Sequence, residues 1–492
     1  MKRRLMGPLG LFALLGLSAC TLMPHYRRPP SPVQSQWPAD AGSAHAAAAT
    51  GISADQIGWQ DFFTDPRLQR LVRIALANNR NLRIAMLNVA ASQAQFRVER
   101  GNLFPAIAAT GSGLVDKLPA NGAIPLGAAG AVGGAGAAAG GGGATYRYYS
   151  AGIGFTNYEL DLFGRERSLT TQAFEQYLAQ YESRRGAQIS LVAEVATDYF
   201  AVLADQALVK LTQQTLQSEM ESYKLTSAMY ERDTTTLLSL RQAQSAVDAA
   251  RVSLAQFQRQ LAQDSHALTL VVGQRITDLP PAKDIDTEGL LAPVPAGLPS
   301  DLLTHRPDVL SAEHSLRAAN ANIGAARAAF FPSIQLTTSG GTASNRLKDL
   351  FGSGTGMWSF APTITLPIFT GGQNRANLDL AHVENNIAVA KYELTIQTAF
   401  REVSDALSAR GTYVEQRSAQ QALVAADADA YRLARMRFRA GVDNYLSTLD
   451  AQRSLYAAQQ GLITVRQAEL ANKVTLYKAL GGGWQQNTVA AR

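Results

Sequence analysis

Ser168 to Arg232 reads SLTTQAFEQYLAQYESRRGAQISLVAEVATDYFAVLADQALVKLTQQTLQSEMESYKLTSAMYER, about 65 residues with one glycine, Gly186, and no proline. Val195, Val202, Val209, Leu216, Tyr223 and Tyr230 fall on a strict seven-residue step, the spacing of a coiled-coil seam. At about 1.5 Å per residue the helix approaches ~100 Å, roughly three times a bilayer core. Its Arg, Gln, Asp and Glu content places it in water rather than in lipid. Val247, Leu254, Leu261 and Leu268 continue the seven-residue step after a break at Asp233-Thr234-Thr235-Thr236, which reads as the turn of a helical hairpin.

The hairpin occurs twice. A shift of 208 residues aligns Glu194–Gly273 with Glu402–Gly481, pairing Glu194-Val195 with Glu402-Val403, Tyr223 with Tyr431 and Leu238-Ser239 with Leu446-Ser447. A shift of 227 aligns Leu71–Gly113 with Leu298–Gly340, pairing Phe104-Pro105 with Phe331-Pro332 and Ser112-Gly113 with Ser339-Gly340. The chain is therefore one unit written twice: helix, proline-started strand, loop, strand, long helical hairpin. The second turn is Gly441-Val442-Asp443-Asn444.

Four uncharged ten-residue segments precede the hairpins: Pro105–Leu114, Tyr148–Asn157, Ser333–Thr342 and Met357–Leu366. Ten residues span a membrane as a tilted strand. Pro105 and Pro332 mark the change from helix to strand, because proline removes a donor and forces its predecessor toward extended geometry. Tyr146, Tyr148, Tyr149, Trp358, Phe360 and Phe369 gather near the strand ends, as an interfacial aromatic belt does. Period-two alternation is diluted by Gly, Ala and Thr, so the strands alone also fit a soluble sheet.

The N-terminus settles the compartment. Lys2-Arg3-Arg4 precedes an uncharged run from Leu5 to Cys20, too short for a stable transmembrane helix and flanked like a secretory signal. It ends Leu17-Ser18-Ala19-Cys20, which resembles the bacterial lipoprotein box, with the only cysteine of the chain at the lipidated position; acyl chains there would anchor the mature N-terminus. The same resemblance implies that Thr21, rather than Asp, after the cysteine favours onward sorting to the outer membrane. Removing the leader leaves 42 basic against 39 acidic residues, too even for nucleic-acid binding, and one cysteine excludes a disulfide framework. The helices then bridge a periplasm and the strands enter the outer membrane. Four strands cannot close a barrel with an interior, and lipid leaves no partner for a strand edge. Other copies must close it: two give eight strands with a filled lumen, three give twelve with room for passage, and larger rings also satisfy the arithmetic. The uncharged Ala/Gly run Ala120–Ala144 reads as a flexible exterior loop.

No metal is expected, since His25, His45, His266, His305, His314 and His382 lack ligand spacing. No nucleophile-elbow or phosphate-loop pattern is present, and Gly352-Ser353-Gly354-Thr355-Gly356 leads into a strand rather than a helix. The chain reads as no enzyme, with no cofactor beyond the lipid on Cys20.

Over almost all its mature length the sequence resembles the TolC-like outer membrane factor family, in its lipoprotein branch. The resemblance rests on Tyr158-Glu159-Leu160-Asp161-Leu162-Phe163-Gly164-Arg165, on Leu298-Pro299-Ser300-Asp301-Leu302-Leu303 with Arg306-Pro307-Asp308-Val309, on Leu366-Pro367-Ile368-Phe369-Thr370-Gly371-Gly372, and on Arg437-Phe438-Arg439-Ala440-Gly441 running on to Leu449-Asp450-Ala451-Gln452-Arg453. It implies a mixed α/β membrane protein: a homotrimer with a twelve-stranded transmembrane β-barrel, four strands per protomer, continuous with a long periplasmic α-helical barrel. It further implies an outer-membrane exit duct of a tripartite efflux pump, working with a periplasmic adaptor and an inner-membrane transporter. A type I protein secretion channel, and a coiled-coil lipoprotein that tethers the outer membrane without a pore, are the alternatives.

On that basis 1–19 is the signal, 20–67 the lipidated segment and equatorial belt, 68–104 the first-repeat helix, 105–165 the first β-hairpin and 166–273 the first helical hairpin. Residues 274–300 form a Pro-rich equatorial linker, 301–331 the second-repeat helix, 332–370 the second β-hairpin, 371–481 the second helical hairpin and 482–492 the tail. Two departures from the pattern stand out: Asp233 where the second repeat has Gly441, and the long Ala/Gly loop.

Leu446, Asp450 and Arg453 are spaced by four and three, so they share one helix face just past the second turn. Their first-repeat counterparts are Leu238, Gln242 and Ser245, so only one hairpin per protomer brings an acid to the tip. Around a threefold axis three carboxylates would face one another, with Leu446 as an apolar constriction. The resemblance implies that this ring closes the periplasmic entrance, supported by Arg437, Phe438, Arg439, Gly441 and Tyr445. An ordinary surface ion pair between Asp450 and Arg453 is the competing reading.

Overall fold

A computed structural model describes residues 21–37, 54–117, 145–287, 289–292, 294 and 302–488. The signal, Cys20, the whole Ala/Gly loop Ala120–Ala144 and residues 295–301 lie outside the described residues. In chain order the elements are α1 (Trp59–Phe62), α2 (Pro66–Asn78), α3 (Arg80–Gly101), β1 (Ala108–Lys117), β2 (Thr145–Glu159), α4 (Arg165–Tyr230) and α5 (Leu237–Val272), then α6 (Leu302–His305), α7 (Pro307–Ala328), β3 (Ser333–Ser344), β4 (Gly356–Thr365), α8 (Gln373–Arg439) and α9 (Tyr445–Ala479). The long helices match in pairs, α4 and α8 at 66 and 67 residues and α5 and α9 at 36 and 35. Two compact units result: residues 1–27, 93–176 and 317–387 hold the sheet, and residues 28–92, 177–316 and 388–492 hold most of the helices.

In the first unit the strands run β1-β2-β3-β4, all antiparallel. Their register resolves the diluted alternation. Ile153, Phe155, Ile334, Leu336, Trp358, Phe360 and Ile364 fall on one face, while Thr110, Ser112, Ser150, Gln335, Ser339, Ser359 and Thr363 fall on the other. On the polar face Ser112 pairs with Ser150 at 2.7 Å and Ser339 with Ser359 at 2.8 Å, the same contact in each repeat. On the other face Trp358 is 82% and Ile364 68% exposed. A sheet with one apolar and one polar face, both uncovered in the single chain, is the pattern of a lipid-facing and lumen-facing wall. Among the described residues neither β1 nor β4 has a second neighbour in this sheet.

Strand limits differ from the sequence reading. β1 begins at Ala108, three residues after Pro105, and runs on to Asp116 and Lys117, whereas β3 starts directly after Pro332. β2 reaches fifteen residues and includes Arg147 and Glu159, so charge is excluded from the middle of the strands rather than from their whole length. A register shift between Phe155 and Tyr158, with Asn157 at φ 57°, bends its end. Phe163 and Phe331 then stack at 4.8 Å beside the strand starts.

The second unit corrects the helix reading twice. The expected single helices at 68–104 and 301–331 are each broken, at Asn79 and at Arg306, positions related by the 227-residue shift. Asn79 leaves the helical region at ψ 131°, caps α3 by accepting from the Leu82 N–H at 2.9 Å, and donates to the Val271 carbonyl at 2.7 Å. Arg306 donates to the Ala479 carbonyl at 2.9 Å, and Val271 and Ala479 are themselves 208 residues apart. Each break thus satisfies a carbonyl at the end of a short hairpin helix. The following glycines, Gly273 and Gly481, take φ 83° and 84° and lie where an added Cβ would meet the Asn78 oxygen at 2.5 Å and the His305 oxygen at 3.2 Å.

Around these junctions lies the main core. Phe62 stacks on Tyr477 at 4.0 Å, and Leu68, Leu71, Val195, Phe200, Leu290 and Val403 are fully or almost fully buried. Among the described residues one helix, α4, is long and apolar enough to cross a membrane, but its apolar residues Val192, Ala196, Tyr199 and Leu203 are buried in protein. The tail joins this core: Trp59 and Gln60 donate to the Gln485 and Gln486 carbonyls, and Trp484 lies against Arg184 and Arg185.

Candidate gate at the helical tips

Both hairpin turns are built alike. At the end of α4 the Asp233 N–H bonds the Tyr230 carbonyl and the Thr234 N–H that of Met229; at the end of α8 Gly441 bonds Phe438 and Val442 bonds Arg437. This is the Schellman closure, which needs a left-handed residue at its centre. Asp233 takes φ 53° and Gly441 φ 69°. The departure from glycine therefore keeps the turn and adds only the steric cost of a Cβ. The next helices start from equivalent caps, Thr236 accepting from the Ser239 N–H and Asn444 from the Ser447 N–H.

Just past the second turn, α9 is two-faced. Tyr445, Thr448, Leu449 and Gln452 are buried, while Leu446, 43% exposed, Asp450 and Arg453 share the open side. In the first repeat Leu238 is 67% exposed and Gln242 half-buried. The supporting residues form two groups. Arg437 grips Asp443 across the turn with two bonds, at 2.6 and 3.1 Å, and the pair raises the Arg437 pKa and lowers that of Asp443. Phe438 meets the Tyr445 ring edge-on at 5.5 Å, and both pack with Ala243, Ala246, Leu449 and Tyr223. Arg439 is the exposed last residue of α8.

No ion pair joins Asp450 to Arg453 among the described residues. Arg453 instead lines a cavity of about 80 Å³ with Glu219, Thr215, Ala246, Ala249, Ala250, Ser253, Gln452 and Tyr456. Glu219 is 4% exposed; burial pushes its carboxyl up to about 7, with Arg453 acting against the rise. Among the described residues Glu219 Oε2 and the Tyr445 hydroxyl have no hydrogen-bond partner. Burial also raises the Tyr445 hydroxyl, with Glu219 adding to it. Nearby, Tyr456 and Thr212 hydroxyls meet at 2.7 Å and Tyr431 and Ser218 at 3.2 Å, tying α4 to α9 and α8. Sequence reasoning missed Glu219, because one acid on a helix rich in charge looks solvated.

The outer membrane efflux protein family is matched twice, over residues 71–274 and 298–482, the halves that the repeat defines. The toluene efflux pump outer membrane protein TtgC of Pseudomonas putida is 50% identical over 473 residues, covering 96% of this chain and 94% of that protein. A solved membrane protein from Pseudomonas aeruginosa is 41% identical with a TM-score of 0.84, covering 95% of this chain and 98% of its own. The open state of the Neisseria gonorrhoeae MtrE outer membrane channel has a TM-score of 0.83 at 37% identity, covering 96% of this chain and all of that one. With both repeats matched and its architecture shared with an outer-membrane channel, this chain belongs to the outer membrane efflux protein family.

Proposed function

We propose that three copies of the chain form the exit duct of a tripartite efflux pump. Their β1 and β4 edges pair into a twelve-stranded barrel in the outer membrane, and their helical hairpins form its periplasmic entrance. The observation that carries this is the two-faced antiparallel sheet with neither edge covered: lipid demands closure, and the polar face supplies a wettable lumen. The duct performs no chemistry. It passes small molecules when a periplasmic adaptor and an inner-membrane transporter open the tips. Toluene-like solvents are the cargo class suggested by the name of the P. putida relative. Cys20 carries the lipid that anchors each mature N-terminus.

In the resting duct Leu446 forms an apolar collar and Asp450 an acidic ring, with Arg453 as its counter-charge. Arg437, Phe438, Gly441 and Tyr445 hold the turn that presents them. The test is resting conductance in planar bilayers. Leu446→Ala with Asp450→Ala should conduct more than the unmodified protein, and an unchanged closed-state conductance would remove the gate assignment.

A further inference from the structure

Behind the face that carries Leu446 and Asp450 lies a carboxylic acid that the gate reading does not use. Glu219 projects from α4 into the cavity between α4, α5 and α9, buried to 4% exposure, with one carboxyl oxygen lacking a hydrogen bond. From α5 the cavity is lined by Ala246, Ala249, Ala250 and Ser253, none of which titrates. From α9 it receives Arg453, Gln452 and Tyr456, and Tyr445 is close enough for the Glu219 charge to raise its hydroxyl pKa. Tyr431 of α8 also acts on Tyr445 and bonds Ser218. Among the described residues Arg453 is thus the one cation lining the cavity, and it lies on the gate face as well. No hydrogen bond joins it to Glu219 among the described residues. That geometry suits a neutral carboxyl with a guanidinium at the cavity wall, since an ionised carboxylate among alanines must recruit its counter-charge.

We propose that Glu219 is a titratable latch for the tip: neutral, it leaves Arg453 to neutralise the Asp450 ring, and ionised, it draws Arg453 into the cavity and strips the ring of its counter-charge. The latch rests on Leu446, Asp450 and Arg453 being the gate. Its sign is fixed. Acid keeps Glu219 neutral and the entrance closed; alkali ionises it and loosens the ring by repulsion among its carboxylates. With the carboxyl near 7, the ionised fraction rises about tenfold between pH 6 and pH 8. Arg453 acts here as a positioned counter-charge and Glu219 as its positioning residue.

Resting conductance of the full-length protein in planar bilayers at pH 6 and pH 8 tests this, using the unmodified chain, Glu219→Gln and the Leu446→Ala, Asp450→Ala double variant. The unmodified duct should conduct up to about tenfold more at pH 8, and Glu219→Gln should stay low at both values. A flat unmodified profile, or a pH rise that persists in Glu219→Gln, overturns the latch. The double variant reports on the gate separately: if it is leaky while the unmodified profile is flat, the gate stands and the latch falls. If it is no leakier than the unmodified duct, the assigned collar and ring are wrong and the latch that rests on them falls with them. Should Glu219→Gln fail to give a heat-stable oligomer, Glu219→Met, uncharged and suited to the alanine wall, takes its place with the same expected flat profile.

Discussion

Tyr445 offers a perturbation whose two variants should move in opposite directions. Its ring is 3% exposed and fills the space between Ala243, Ala246, Leu449 and Phe438, whereas its hydroxyl is buried without a partner. Truncating a buried aromatic ring to alanine costs about 3–5 kcal/mol. Losing the unsatisfied hydroxyl returns about 1 kcal/mol, so Tyr445→Ala should destabilise the tip by about 2–4 kcal/mol. Tyr445→Phe keeps the ring and removes only the orphan group, and should stabilise by about 1 kcal/mol. Hydrogen exchange on peptides spanning residues 437–449 reads this directly, because local opening governs exchange there. Tyr445→Ala should exchange roughly 30- to 900-fold faster and Tyr445→Phe about fivefold slower. Faster exchange in Tyr445→Phe, or a change below about fivefold in Tyr445→Ala, would refute the packing argument.

The other expected outcomes can be measured on the same purified protein. Glu219→Gln removes a penalty that begins above the ordinary glutamate value of 4.5 and is complete above the raised value of about 7. It should therefore be more stable by about 3 kcal/mol per protomer at pH 8 and unchanged at pH 4, read by denaturant unfolding. Glu469 behaves in the opposite sense: burial raises its carboxyl, but Lys473 at 2.7 Å and Arg466 at 2.9 Å together hold it below the usual range. Its contribution is full above the ordinary glutamate pKa and is lost as pH falls through the lowered one, so Glu469→Gln should flatten the acid limb of the stability profile. Asp233→Gly should relieve about 1 kcal/mol at a left-handed position and Gly441→Ala should cost about as much, seen as opposite changes in proteolysis at the two turns. On the sheet, Ile153→Arg should weaken folding into bilayers by about 2–4 kcal/mol, whereas Ser150→Arg on the polar face should be nearly neutral, in urea titrations from vesicles.

Features carried by local period were legible in the sequence. The seven-residue step foretold α4 and α5, because each seam residue reports on its own helix, and the 208-residue repeat extended the expectation to α8 and α9. The breaks at Asn79 and Arg306 were hidden, since helical periodicity continues through both; Pro307, suited to the first turn of a new helix, was the overlooked signal. Alternation in the strands became visible only with the register, because Gly152, Gly154, Gly340 and Gly341 occupy both faces and blur a one-strand reading. Added Cβ atoms at Gly154 and Gly341 would collide with the Thr338 and Ala151 oxygens, so these positions answer to strand approach rather than to polarity. The pairing of the C-terminal tail with Trp59 and Gln60 is long-range backbone bonding, which leaves no periodic trace. At the tip, the exposed trio was legible from spacing, but the place of Arg453 at the wall of the Glu219 cavity depends on a neighbouring helix that no single-helix pattern reveals.

Closure of the sheet between copies is the central claim, and cross-linking of its two edges tests it most directly. With Cys20 the sole cysteine of the sequence, single cysteines can be placed pairwise on β1 between Thr110 and Leu114 and on β4 between Phe360 and Ile364, and the intact protein oxidised in outer membranes. The expected result is a disulfide ladder on denaturing gels that ends at three chains for at least one β1–β4 pair. Cross-links confined to single chains, absent at every pair, or running past three copies would contradict a twelve-stranded barrel made by three protomers.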